Sequence, residues 1–195
     1  MPPIRIALVL VIVLAGMELP QQALLDVQTP DALGANFDAR AIGKGTPADF
    51  DFLIGTWTFR FQQRGEGNQF RPVQPGEWVT RKTHDGAVVE DTWRLGASTN
   101  PTITYRVFNQ AKQIWELQGT HPRTGGWDAG IAWTRPDRAD ERYLVQHFND
   151  GKLLVRIKYY EIKADSFRWR ADGSSDEGRT WTPDIWKMEA VRRSR

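Results

Sequence analysis

Few residues in this chain combine a reactive group with an apolar setting, and Asp91 is the clearest of them. It lies in the run Val88-Val89-Glu90-Asp91-Thr92-Trp93. Alternate residues of an extended segment share a face, so Asp91 goes with Val89 and Trp93. If that face points inward, the carboxylate carries a raised pKa and can bind a cationic or hydroxylated ligand or exchange a proton; its plainer role is to neutralise an interior arginine. If the other face is the inner one, Glu90 inherits the position. His147, on the side of Tyr143 and Val145, is the second candidate. Facing a cavity it can ligate a haem iron or carry a proton, and otherwise it is a hydrogen-bonded strand histidine. His84 precedes Asp85-Gly86 and His121 precedes Pro122, which reads as two turn residues.

Other chemistry is excluded or unsupported. The chain has no cysteine, so disulfides, thiolate metal sites and cysteine nucleophiles are ruled out. No G-x-S-x-G elbow, phosphate loop or dinucleotide fingerprint is present, and no His/Asp/Glu spacing suggests a metal. The formal net charge is only +2, with 26 basic and 24 acidic residues interspersed, which argues against a nucleic-acid partner. The closing Arg192-Arg193-Ser194-Arg195 reads mainly as a solvated end.

Aromatic residues stand out instead. Nine Trp and nine Phe in 195 residues suit a wide core or a ligand pocket. Phe59, Phe61, Trp93, Tyr105, Trp133, Tyr143, Tyr159 and Trp169 have parities compatible with one interior, where they would line a pocket for a hydrophobic or aromatic small molecule or fill the space completely.

Short alternating runs broken by turn residues must position these groups. Ten such runs lie near 52–63, 76–83, 87–95, 102–108, 113–120, 126–134, 142–148, 153–162, 166–172 and 181–192. His84-Asp85-Gly86, Asn109 to Lys112, Arg123-Thr124-Gly125 and Asn149-Asp150-Gly151 punctuate them as hairpin turns. Trp57, Phe59 and Phe61 share one face against Thr58, Arg60 and Gln62; Phe167 and Trp169 oppose Arg168 and Arg170. The pattern predicts an all-β fold, a single antiparallel barrel of about ten strands, because an open sheet of that size would expose edges prone to aggregation.

The opening Asp49-Phe50-Asp51-Phe52-Leu53-Ile54-Gly55-Thr56-Trp57, with Trp186-Lys187-Met188-Glu189 and Arg192 at the far end, resembles a family of bacterial domains of unknown function with a calycin-like barrel, the class of lipocalins, fatty-acid-binding proteins and nitrobindin-type haem barrels. The resemblance covers roughly residues 49–193. It implies that Gly55-Thr56-Trp57 opens the first strand and that Arg192, on the last, stacks over Trp57 to close the barrel floor. It also implies a small-molecule ligand without naming one; haem through His147 is a minor alternative.

Ser174 to Trp181 fits S-x-D-x-G-x-T-W, an Asp-box hairpin. A single copy reads as a folding staple in which Ser and Asp cap turn amides. At the N-terminus, Arg5 precedes a largely apolar stretch from Ile6 to Met17, too short to span a bilayer unaided and broken by Pro20. Residues 1–23 read as a signal peptide or membrane anchor, 24–48 as a linker or arm, and 49–195 as the barrel domain. The chain is expected to be exported, periplasmic or secreted, and to touch a membrane only through an uncleaved leader. Three functions follow: a binding barrel, an isomerase/cyclase or haem-dependent enzyme on the same barrel, or a structural envelope module.

Overall fold

A computed structural model describes residues 43–135, 138–148 and 152–193, without the side chains of Trp133, Arg135 and Arg138. The proposed leader, most of the linker and the Asn149-Asp150-Gly151 turn lie outside the described residues. The strands are β1 (Gly55–Gln63), β2 (Gln74–Thr83), β3 (Val88–Leu95), β4 (Thr102–Asn109), β5 (Ile114–Thr120), β6 (Trp127–Arg135), β7 (Arg138–Phe148), β8 (Leu153–Tyr160), β9 (Ser166–Ser174) and β10 (Thr182–Arg192). Each pairs antiparallel with its neighbour in sequence, and β10 returns to β1, closing the barrel. Closure removes the raw edges that an open sheet would leave. At the β2–β3 turn, His84 and Asp85 take positive φ, 52° and 55°, the geometry a tight hairpin demands.

Alternation puts Phe59, Phe61, Val89, Leu117, Leu144, Val155, Phe167, Trp169, Met188 and Ala190 in one buried cluster. A smaller cluster of Ile114, Ile131, Val145 and Leu154, joined by Tyr143 and Trp181, belongs to the opposite faces of these strands. In the expected Asp-box hairpin, Asp176 Oδ1 accepts from Ser174 Oγ and the Thr180 amide, Oδ2 accepts from Thr180 Oγ1, and Ser174 Oγ accepts from the Gly178 amide. These bonds hold the Asp176 carboxyl down to about 2. The hairpin delivers Trp181 beneath the Arg156 guanidinium, 4.4 Å from the ring centre.

The two ends of the barrel differ. At one end the chain before β1 folds inward through a 3-10 turn at Asp51–Leu53 and buries Phe50 and Leu53. It is tied down by the Gly45 amide donating to Gln113 O, Trp115 Nε1 to Thr46 O, and Arg142 Nε to Asp49 O. Residues 43–48, assigned to the linker, thus supply part of this closure.

Arg192 completes it. Its Cζ stands 4.1 Å from the Trp57 ring centre. Nη1 donates to Ile54 O at 2.6 Å, Nη2 to Phe52 O at 2.9 Å and Nε to Ala164 O at 2.7 Å. Trp57 Nε1 donates to Leu53 O at 2.8 Å. Gly55 has φ +131°, and a Cβ there would sit 2.5 Å from Arg192 Nη1. The glycine two residues before Trp57 is therefore what lets the guanidinium reach the carbonyls of the plug.

Candidate functional site

A cavity of about 340 Å³ opens at the end opposite Trp57 and Arg192. Phe61, Trp78, Trp93, Trp169 and Trp186 supply aromatic wall, and Leu144, Phe148 and Ile157 continue it. Ser98, Asn100, Thr102 and His121 form a polar mouth. The loops there are tied together: the Arg123 amide donates to Asn100 Oδ1 at 3.1 Å, and Asn100 Nδ2 donates to Thr124 Oγ1 at 3.3 Å. His121 Nδ1 lies 3.3 Å from Thr102 Oγ1, and its Nε2 lies 3.9 Å from an Asp128 carboxylate oxygen.

Asp91 and Arg106 sit deep in the cavity, 1% and 2% exposed, and form an ion pair through Oδ2 and Nη1. Arg106 also lies 5.2 Å from the Phe50 ring centre and hydrogen-bonds the Tyr159 hydroxyl. Burial pulls the Arg106 guanidinium below its ordinary value, opposed by Tyr159; arginine remains charged all the same. Burial pushes the Tyr159 phenol up, only partly offset by Arg106, so its proton stays on oxygen at neutral pH. The geometry gives Asp91 an interior arginine as partner and also places it on the cavity wall.

The strand register explains which residues enter. Asp91 pairs with Thr104, and Val89 with Arg106. Val89 belongs to the core, so Arg106 lies inside and diagonal to Asp91. Glu90 lies on the other face, where it meets the exposed Arg81 at 2.7 Å. Phe61, Asp91, Trp93, Tyr159 and Trp169 all line the cavity. Phe59 is buried beside it, its ring 5.5 Å from that of Trp93; Gly76, where a Cβ would fall 2.0 Å from Phe59 Cζ, makes the room.

Other candidates lie elsewhere. Tyr105 falls between the cavity-lining Thr104 and Arg106, so alternation turns it to the outer face opposite Glu90 and Gln118. Likewise His147 falls between the cavity-lining Gln146 and Phe148 and is half-buried on the outer face. Haem ligation by His147 inside the cavity is not supplied by this geometry. Trp133 pairs with Tyr143 in the register; its side chain lies outside the described residues. The cavity-lining histidine is instead His121, read from sequence as a turn residue. Arg106, Trp78, Thr104, Gln146 and the polar mouth carried no sequence signal of their own. The parity of Trp93, carried across the β3–β4 hairpin, was the signal that could have found Arg106.

No family model matches the chain, and no curated protein matches it. Solved structures do. An S-type phycobiliprotein lyase, CPES, from Guillardia theta is similar over 75% of this chain and 91% of its own, at 8% identity and a TM-score of 0.51. A protein of unknown function from the DUF3598 family of Nostoc punctiforme is similar over 82% of this chain, at 9% identity and a TM-score of 0.52. This chain spans 53% of the length of that second protein. At such identities the likeness is one of fold: a closed, calycin-like antiparallel barrel.

Proposed function

We propose that this barrel is a binding protein for a small molecule with an aromatic or otherwise hydrophobic body, held in the open-ended cavity. The observation that carries the reading is the cavity itself: aromatic walls, a charged pair at depth and a polar mouth, the usual division of labour in a ligand site. Its volume fits the low end of the roughly 300–1,000 Å³ range of ligand pockets and is about twice the ~150 Å³ cavity that holds benzene, which suits a bicyclic or tricyclic ring system. The likeness to a phycobiliprotein lyase fold adds open-chain tetrapyrroles to the molecules worth testing.

Recognition is favoured over proton transfer. A carboxylate in contact with a guanidinium is stabilised in its charged form and is a correspondingly weak base. Export is part of the same proposal, carried by the apolar stretch behind Arg5, and gives the protein an extracytoplasmic ligand to hold.

Tryptophans 78, 93, 169 and 186 line the cavity, so their fluorescence reports occupancy. Titration with tricyclic aromatics, a retinoid, a fatty acid and an open-chain tetrapyrrole is expected to give saturable quenching with at least one class. Absence of saturable quenching by all of them would overturn the reading.

A further inference from the structure

The depth of the cavity holds a charge pair whose valences are not all used. Asp91 Oδ2 and Arg106 Nη1 engage each other. Asp91 Oδ1 and Arg106 Nε are buried without a hydrogen-bond partner among the described residues. A buried polar group left unpaired is costly, and natural interiors rarely keep one without a purpose or a bound partner. On the pair itself the unused valences are one acceptor and one donor; Trp78 Nε1 and Trp169 Nε1, on residues that line the same cavity, are further buried donors without a partner among the described residues.

The charges on the pair cancel. An incoming carboxylate would lose its hydration and meet a guanidinium already neutralised by Asp91, with the Asp91 carboxylate close by to repel it. An incoming cation would meet the mirror situation. A pure hydrocarbon would leave Oδ1 and Nε unmatched. A neutral group carrying an N–H beside a C=O meets both needs: its N–H donates to Asp91 Oδ1, and its carbonyl accepts from Arg106 Nε.

Building on the binding function proposed above, we infer that the ligand is an uncharged aromatic molecule bearing a lactam or amide edge, read by the unused valences of Asp91 and Arg106. Tyr159, which also lines the cavity, keeps its proton and adds no charge.

Matched tricyclic probes test this on the native protein: phenanthridin-6(5H)-one as the lactam, phenanthrene as the hydrocarbon and phenanthrene-9-carboxylate as the anion, each titrated by tryptophan quenching. The lactam is expected to bind at least about tenfold tighter than either of the others, the equivalent of about 1.4 kcal/mol. In Asp91→Asn the arginine is no longer neutralised, and the order is expected to change so that the carboxylate binds best. Equal affinities, or a preference for the carboxylate or the hydrocarbon in the native protein, would overturn the inference while leaving the binding function standing. No binding of any probe by native protein would overturn the inference; the function itself falls only if the wider ligand panel is also silent. Should Asp91→Asn fail to fold, the native ranking decides alone.

Discussion

Arg192 on the last strand is the register partner of Trp57 on the first, and its guanidinium both covers that indole and holds the backbone carbonyls of Phe52, Ile54 and Ala164. One side chain thus joins the barrel seam to the plug beneath it. Hydrogen bonds from a charged donor contribute ~1.5–3 kcal/mol each before coupling, and a cation over an indole ~0.5–2 kcal/mol. Arg192→Ala is expected to lower the unfolding free energy by about 3 kcal/mol, with Arg192→Lys recovering less than half because a single ammonium cannot serve the same fork. Urea unfolding followed by tryptophan fluorescence measures both.

Gly55→Ala is expected to weaken the same seam from the other side. The added methyl would meet Nη1 at 2.5 Å in a backbone conformation, φ +131°, that alanine resists. A loss of about 2 kcal/mol is expected, and it should largely disappear when tested in an Arg192→Ala background, since the clash partner is then gone. A double-mutant cycle in urea reads the coupling.

Asp91→Ala leaves the Arg106 charge buried and uncompensated, and is expected to cost about 3–5 kcal/mol. The double variant Asp91→Leu/Arg106→Met removes both charges and is expected to come within about 1 kcal/mol of the native protein or to exceed it. Chemical denaturation of the three proteins distinguishes a pair kept for recognition from one kept for stability.

Thr104 is buried and lines the cavity. Thr104→Phe fills space otherwise open to a ligand. The variant is expected to keep its thermal midpoint and to lose saturable quenching by any probe that the native protein binds.

The Asp176 carboxyl is held down to about 2 from its ordinary value of 3.8. A depressed carboxyl contributes stability above its unfolded value and loses it as pH falls toward its folded one. Native protein is therefore expected to lose urea resistance between pH 4 and about 2, and Asp176→Asn to lose less over that interval while starting lower at neutral pH.

The proposed leader makes an expectation of its own. Protein expressed with its N-terminus intact in a bacterial host is expected in the periplasmic fraction, with a mature terminus close to Ala23; recovery of uncut chain in the cytosol would count against export.

Much of the barrel was legible in the sequence because its physics is local. Trp57, Phe59 and Phe61 alternate with polar residues, as do Phe167 and Trp169, and turn residues such as His84 and Asp85 mark the hairpins. The site was less legible, because β4 inverts the usual rule. Thr102, Thr104 and Arg106 face the cavity, while Val107 is 45% exposed outside. Hydrophobicity alone turns that strand the wrong way, and Tyr105 was carried inward with it. His147 shows the same difficulty on β7: its neighbour Val145 is buried, but in the outer cluster with Leu154, so burial there does not mean interior. Only cross-strand register resolves such cases.

Because every strand after β1 is hydrogen-bonded to its immediate predecessor, the ring grows in order of synthesis and stays a split cylinder until its tenth stave arrives. The binding chamber can therefore exist only once β10 has been made. A ribosome stalled before Trp186 would release a sheet with two sticky flanks, β1 and β9, in place of a container. Quality control of this protein thus rests on β10, and damage there should appear first as clumping and only secondarily as a loss of ligand affinity.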